Sequence, residues 1–335
     1  MTHHRSAERD NDQGLVLALD IGGTKLAAGV VRADGRALSF AACPTAVQEG
    51  PDAALKRLFE LGRSVLDEAG VAPGQLRGTG IGCGGPLDGE AGVLICPPHL
   101  PGWLDVPVVD LAVEAYGRPA VLDNDGTAGA AGEWRFGAGR GSDSLLYLTV
   151  STGIGGGAVL GGRTFRGAAG NGGEPGHVLV RSDGRPCRSC GRRGCLEAYA
   201  SGTSIAERAG EAVAEAAAAG TDTALAGLDP LTAADVAAAA RRGDPVAVAV
   251  WEETVTALGS GLTTLVNVFE PEVVVLGGGV TRTGEQLLGP VRRIVAEQAM
   301  GPAAAAARLT VAAGGDRAGV LGAAAIAFER LDPAP

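Results

Sequence analysis

One design occurs twice along this chain, and it limits the architectures open to it. Residues 15–31 read LVLALDIGGTKLAAGVV: an apolar run, a turn rich in glycine, and a second apolar run. Residues 145–160, LLYLTVSTGIGGGAVL, repeat that order. Short β-compatible runs broken by such turns read as strand hairpins, and self-similarity on this scale points to duplicated domains. Each half continues with alternating helix and strand patterns. Residues 52–69 place Ala54, Leu55, Leu58, Leu61, Val65 and Leu66 at helical spacing before Gly70. RGTGIGCGG reads as a buried strand, and PAVLDNDGTAGAAGEWRF as a strand, a polar turn and an alanine-rich helix. In the second half, helices are expected over 202–219, 231–241 and 245–268, strands at PEVVVLGGGV and LTVAAGG, and a closing helix at AGVLGAAAIAFERL. The expected fold class is α/β, with duplicated domains around a central cleft. The expected division is a disordered polar tail over 1–14, an N-terminal domain over 15–130 completed by helix 317–330, and a C-terminal domain over 131–316.

Glycine supplies 55 of the 335 residues, against a usual share of about 7%. The glycines cluster at IGGTK, GIGCGG, STGIGGG and LGGGV, where apolar runs end. Ligands of open α/β sheets sit at the carboxyl ends of strands, and backbone N–H groups of tight turns form anion sites. The hairpin loops around Gly22, Gly23, Thr24 and Lys25 and around Thr152 and Gly153 are therefore candidate phosphate cradles, with Gly277 and Gly278 closing the set. Asp20, at a strand end beside the first loop, suits hydrated Mg²⁺, which prefers carboxylate oxygens. DIGGTK lacks the spacing of a Walker A loop. Gly80-Gly82-Gly85 and Gly153-Gly155-Ala158 match the dinucleotide fingerprint formally, but a turn or strand follows each where that motif requires a helix.

Twenty-eight basic against 38 acidic residues give a net charge of −10, which disfavours nucleic acid and anionic membranes as partners. No apolar run reaches the ~18 residues of a membrane span, and the polar start is unlike a signal peptide, so a cytoplasmic protein is expected.

Several motifs in fixed order, LALDIGGTKLAAGVV, GIGCGGPLDG, HLPGW, LDNDGTAGAAGE, STGIGGG…GEPGH and CGRRGCLEAYASG, resemble the ROK family of repressors, open reading frames and kinases. The resemblance runs from about Leu15 to Phe328. It implies an actin-like (ribonuclease H-like) fold and an ATP-dependent sugar kinase. On that resemblance Asp125 is the catalytic base, and Asn124, Glu174, His177 and Glu197 bind sugar hydroxyls. From spacing alone, Asp-Asn-Asp-Gly reads more readily as a turn than as a catalytic pair, and Glu197 as a solvated surface charge.

His177, Cys187, Cys190 and Cys195 form H-x9-C-x2-C-x4-C. Three thiolates and an imidazole suit a closed tetrahedral zinc site. A redox CxxC is the alternative, but the third cysteine, the histidine and the turns at Gly191 and Gly194 favour metal; a disulfide suits a reducing compartment poorly. The family usually shows C-x-C-G, one residue shorter than the loop here.

Other departures flank the sugar positions. His99 stands where relatives carry Asn, Thr127 where they carry Asn, Gly84 for a common Pro, and Pro175 for an aliphatic residue. His99 is accordingly a candidate substrate contact. The expected reaction is transfer of the ATP γ-phosphate to the 6-hydroxyl of glucose or a close analogue. Amino sugars (kanosamine, N-acetylglucosamine or N-acetylmannosamine) are the alternative substrates, and a catalytically inactive sugar sensor or repressor is the rival class. A repressor needs a helix-turn-helix domain of about 60 residues before the first strand, and fourteen residues precede Leu15. The family suggests a homodimer or homotetramer.

Overall fold

The computed structural model describes residues 14–331. Apart from Gly14, the tail expected over 1–14 lies outside the described residues. The described chain divides into two compact units: residues 14–141 with 166–172 and 313–331, and residues 142–165 with 173–312.

In the first unit, β1 (Leu15–Ile21), β2 (Lys25–Arg32) and β3 (Ala37–Pro44) form the expected meander. Next come α1 (Pro51–Ala69), β4 (Leu76–Cys83), the small hairpin β5 (Leu87–Asp88) and β6 (Val93–Leu94), α2 (Val108–Tyr116), β7 (Ala120–Asn124) and α3 (Asp125–Phe136). Proline opens α1 and Gly70 ends it in the left-handed conformation, as the sequence requires. The sheet order is β3-β2-β1-β4-β7, with β1, β4 and β7 parallel.

Both sheet faces are covered. Leu17, Leu19 and Ile21 pack with Ala54, Leu58 and Val65 of α1, whereas Val16 and Ala18 pack with Val320, Ala323 and Ala327 of the C-terminal helix (Ala318–Arg330). Side chains alternate along a strand, so Asp20 shares the second face. That helix lies close to the backbone of β4: a Cβ on Gly80 would fall 1.9 Å from the Ala323 carbonyl oxygen. Gly322 approaches α3 similarly, so glycine and alanine permit a contact that larger residues would prevent. The boundary expected at 130/131 falls inside α3. Because α3 packs along the C-terminal helix, the first unit runs to Gly141.

The second unit contains β8 (Leu145–Val150), β9 (Ile154–Leu160), β10 (Arg163–Phe165), α4 (Glu197–Ala200), α5 (Gly202–Ala218), α6 (Ala233–Arg241), α7 (Pro245–Phe269), β11 (Val273–Gly277), α8 (Glu285–Gln298), α9 (Gly301–Ala306) and β12 (Arg308–Val311). Its sheet, β10-β9-β8-β11-β12, repeats the first in order and direction: three antiparallel strands, then two parallel additions. The repeat seen in the sequence is thus a repeat of topology. Leu146, Leu148, Val150, Val274 and Leu276 share a core with Trp251, Leu258 and Leu262 of α7. Arg208 of α5, buried with 4% exposure, donates to the Tyr199 and Val250 carbonyls, Thr254 Oγ1 and Glu253, which compensates a costly buried charge.

Candidate active site

The candidate carboxylate of the first unit, Asp125, sits where a strand becomes a helix. β7 ends at Asn124 and α3 begins at Asp125, with no separate turn between them. The Asn124 side chain caps α3, its Oδ1 accepting the Gly126 N–H at 2.8 Å, and Asp125 Oδ1 accepts the same N–H at 2.8 Å. Capping explains why an Asn-Asp-Gly sequence that reads as a turn instead starts a helix. Asp123 Oδ1 accepts the Asn124 N–H at 3.0 Å, and Asp123 Oδ2 takes the Arg166 Nε–H at 2.7 Å. Arg166, which the sequence patterns did not single out, therefore braces the strand end that carries the pair.

Asp125 keeps an exposed face, yet the surrounding protein displaces enough water to raise its pKa; the Gly126 N–H and the nearby His99 oppose that rise. Asp20 is half-buried beside the start of the C-terminal helix, since a Cβ on Gly319 would meet its carboxylate. Burial first, and then the charge of Asp125, raise the Asp20 pKa to about 6, with Lys25 acting the other way. A carboxyl whose proton affinity is raised by burial and by a neighbouring carboxylate, as that of Asp20 is, suits a site completed by a dication.

Gly22, Gly23, Thr24 and Lys25 form the β1–β2 turn, closed by the Gly22 N–H donating to the Lys25 carbonyl at 3.0 Å. Leu100 and Trp103 are buried in the core and anchor the segment that carries His99. The imidazole lies over Gly84: a Cβ there would stand 2.5 Å from His99 Cε1. The departures at 84 and 99 are therefore one change, because a larger residue at 84 would displace the ring. Burial lowers the His99 pKa, partly offset by Asp125, so the ring is neutral at pH 7. Thr127 is buried within α3, at 2% exposure, and offers little surface to a ligand.

In the second unit, a pocket of about 680 Å³ opens beside the β8–β9 turn, lined by Ser151, Thr152, Thr203, Ala234, Ala237 and Val280 among others. The turn is fixed by the Ser151 N–H donating to the Gly153 carbonyl at 2.9 Å and the Gly202 N–H donating to the Ser151 carbonyl at 2.6 Å. Those bonds place the N-terminus of α5, with its positive dipole end, at the pocket. Gly277 is buried at the end of β11, and Gly279 and Val280 beyond it reach the pocket. Gly278 between them has φ 89°, and a Cβ there would sit 2.3 Å from the Val150 carbonyl oxygen, so only glycine fits. Thr203, Ala234 and Val280 were not singled out as site residues; Thr203 follows the ASG that ends the cysteine motif and Val280 ends the LGGGV run, while nothing in the sequence marked Ala234.

The GEPGH and CLE segments lie side by side through the Leu179–Cys195 bridge and the Leu196 N–H donating to the Val178 carbonyl at 2.9 Å. This brings His177, Cys187, Cys190 and Cys195 together, with their ligand atoms all within 4.8 Å of one another. Cys190 Sγ and Cys195 Sγ are 3.6 Å apart, and Cys187 Sγ lies 3.9 Å from His177 Nδ1. Ligands about 2.0–2.3 Å from a tetrahedral zinc ion stand at such separations. Burial and the neighbouring thiols push Cys195 up to about 12, so a bound cation would favour ionisation of this thiol. Glu197 opens α4, half-buried, with Oε2 accepting the Ile154 N–H at 2.8 Å, while Glu174 is exposed just before the Pro175–His177 turn.

Residues 16–330 match the ROK family. This chain belongs to the ROK family. It is 36% identical to the glucokinase of Thermotoga maritima, covering 94% of this chain and 98% of that protein. Among solved structures, the ROK hexokinase of Thermus thermophilus matches with TM-score 0.80 at 38% identity, covering 96% of this chain and all of that one. A ROK glucokinase from Streptomyces griseus, solved with glucose and AMPPNP, matches with TM-score 0.74 at 34% identity, over 93% of this chain and 99% of that one. The expected fold class, duplicated α/β of the actin-like kind, is borne out.

Proposed function

We propose that this ROK protein is an ATP-dependent hexose kinase that transfers the γ-phosphoryl group to the 6-hydroxyl of glucose or a close analogue. The observation that carries this reading is Asp125 itself, a carboxylate at a helix start with its pKa raised and Asn124 beside it. As the sugar oxygen forms its bond to phosphorus, Asp125 takes the hydroxyl proton, and the bond to the β,γ-bridging oxygen breaks to leave ADP. The raised pKa strengthens Asp125 as a proton acceptor whenever it is ionised. When bound, magnesium neutralises charge on the phosphates, and Asp20 is the residue assigned to its water shell. The 680 Å³ pocket of the second unit, with the Thr152–Gly153 turn and the start of α5, is assigned to ATP.

In the first unit Asn124 offers donor and acceptor groups of the kind sugar hydroxyls require, and in the second Glu174, His177 and Glu197 are the residues that the family resemblance assigns to sugar. The Cys₃His cluster is assigned to structural zinc. His177 Nδ1 faces the thiols, so a zinc ion held there would fix the tautomer and leave Nε2 for a sugar hydroxyl. The free thiols of this set fit a reducing, cytoplasmic setting.

A coupled ADP-release assay over a panel of hexoses and amino sugars tests the assignment. Glucose-dependent ADP release is expected, and no release with any sugar would overturn it. The contact between His99 and Gly84 favours a second reading, in which an amino sugar is preferred. Neutral imidazole offers its donor and acceptor on opposite ring edges, unlike the single end of an amide. His99→Asn, run on the same panel, should shift the glucose to amino-sugar ratio of kcat/KM by about tenfold. An unchanged ratio would leave His99 a packing residue.

A further inference from the structure

We propose that Ser189 is a positioning residue for nucleotide binding, acting through Glu197 on the turn between β8 and β9. The inference rests on assigning the second unit's pocket to ATP. Two residues separate the metal-ligand candidates Cys187 and Cys190, and they engage different partners. Arg188 pairs with Glu207 on α5, while the Ser189 hydroxyl donates to Glu197 Oε1 at 2.5 Å. The other oxygen, Oε2, accepts the Ile154 N–H at 2.8 Å. A Cβ on Gly153 would lie 2.7 Å from that same oxygen, so the turn rests directly on the carboxylate. Ser151 and Thr152 of this turn line the pocket.

The chain of contacts therefore runs from the metal loop through Ser189 and Glu197 to the backbone that faces the nucleotide. Cys187 Sγ lies 3.5 Å from Oε1 and 3.3 Å from the Ser189 hydroxyl, but a thiol is a weak hydrogen-bonding partner and the Ser189 contact with Oε1 is by far the shortest of the three. Ser189 then remains as the donor that holds Oε1 against the loop. With both oxygens engaged the carboxylate has one orientation, and without Ser189 it can rotate and release Ile154. The loop's extra residue, relative to the usual C-x-C-G spacing, thereby acquires a role.

The test uses the full-length, metal-loaded protein and two variants, Ser189→Ala and Ser189→Thr. ADP affinity is measured by titration calorimetry without sugar, and zinc content by elemental analysis. Ser189→Ala should bind ADP about tenfold more weakly with its zinc retained, and Ser189→Thr should restore most of the affinity by keeping the hydroxyl. ADP affinity within twofold of the parent in Ser189→Ala would overturn the proposal. So would a loss that tracks loss of zinc, because Ser189 would then act on the cluster rather than on Glu197. Failure of the parent protein to bind ADP is a different result: it would remove the ATP assignment of the pocket, and this role with it.

Discussion

The two hairpin turns stand on sheets of the same order and direction, yet they are surrounded by opposite chemistry. The β1–β2 turn of the first unit has Asp20 just before it and shares a field with Asp125 and His99, groups whose proton affinities burial has moved. The β8–β9 turn of the second unit begins with Ser151 and Thr152, and its one carboxylate, Glu197, comes from a separate segment tied to a cysteine cluster. The first unit has placed titratable groups on the scaffold itself. The second keeps its turn neutral and controls it from outside. A duplicated fold thus fixes where ligands approach, at strand ends, while the side chains at the turn decide what each copy does there.

That division can be broken experimentally. The largest effect should come from the first unit: Asp125→Asn should lower kcat by about 10²–10⁴ while sugar binding stays near normal. Steady-state kinetics with a parallel sugar titration checks this, and more than about a tenth of the activity remaining would remove Asp125 as the base. In the second unit, Cys190→Ser should lose about one zinc per chain and weaken sugar binding by about 10–100-fold. Full sugar affinity in metal-free protein would show that the cluster does not control His177 or Glu197.

The smallest effect distinguishes the two turns by pH. A carboxyl with a raised folded pKa gives the folded protein a proton that the unfolded chain has already released. Asp20 therefore costs stability as pH rises from its ordinary 3.8 to about 6, and the full cost persists above that. Asp20→Asn should then melt about 2 °C higher than the parent at pH 7.5 without metal, and show no gain at pH 4. Scanning calorimetry at both values checks the sign; a lower melting temperature at pH 7.5 would mean the Asp20 charge is already compensated.

Strand and helix periodicity made the scaffold legible, because Leu17, Leu19 and Ile21 alternate with Val16 and Ala18 on two buried faces. The cysteine spacing likewise pointed to the four residues, His177, Cys187, Cys190 and Cys195, that the fold brings together as a candidate ligand set. The domain boundary was hidden because α3 belongs with a helix almost 200 residues later, and only their packing shows it. Arg166 and Ser189 were equally hidden. Arg166 acts on a carboxylate 43 residues away, Asp123, and Ser189 on Glu197 eight residues away, and neither spacing by itself marks the pair. His99 and Gly84 were visible as separate oddities, and their contact explains them together.

The central claim is that the two units divide the work, with the base in the first and the nucleotide in the second. Calorimetric titration of ADP with magnesium into Asp125→Asn and into Ala234→Trp tests it directly. Ala234 is exposed and lines the second unit's pocket, so tryptophan there should fill the nucleotide space without disturbing the core. Ala234→Trp should bind ADP at least about tenfold more weakly, a loss of about 1.4 kcal/mol, while Asp125→Asn binds it like the parent. Unchanged ADP binding in Ala234→Trp, or its loss in Asp125→Asn, would contradict the division.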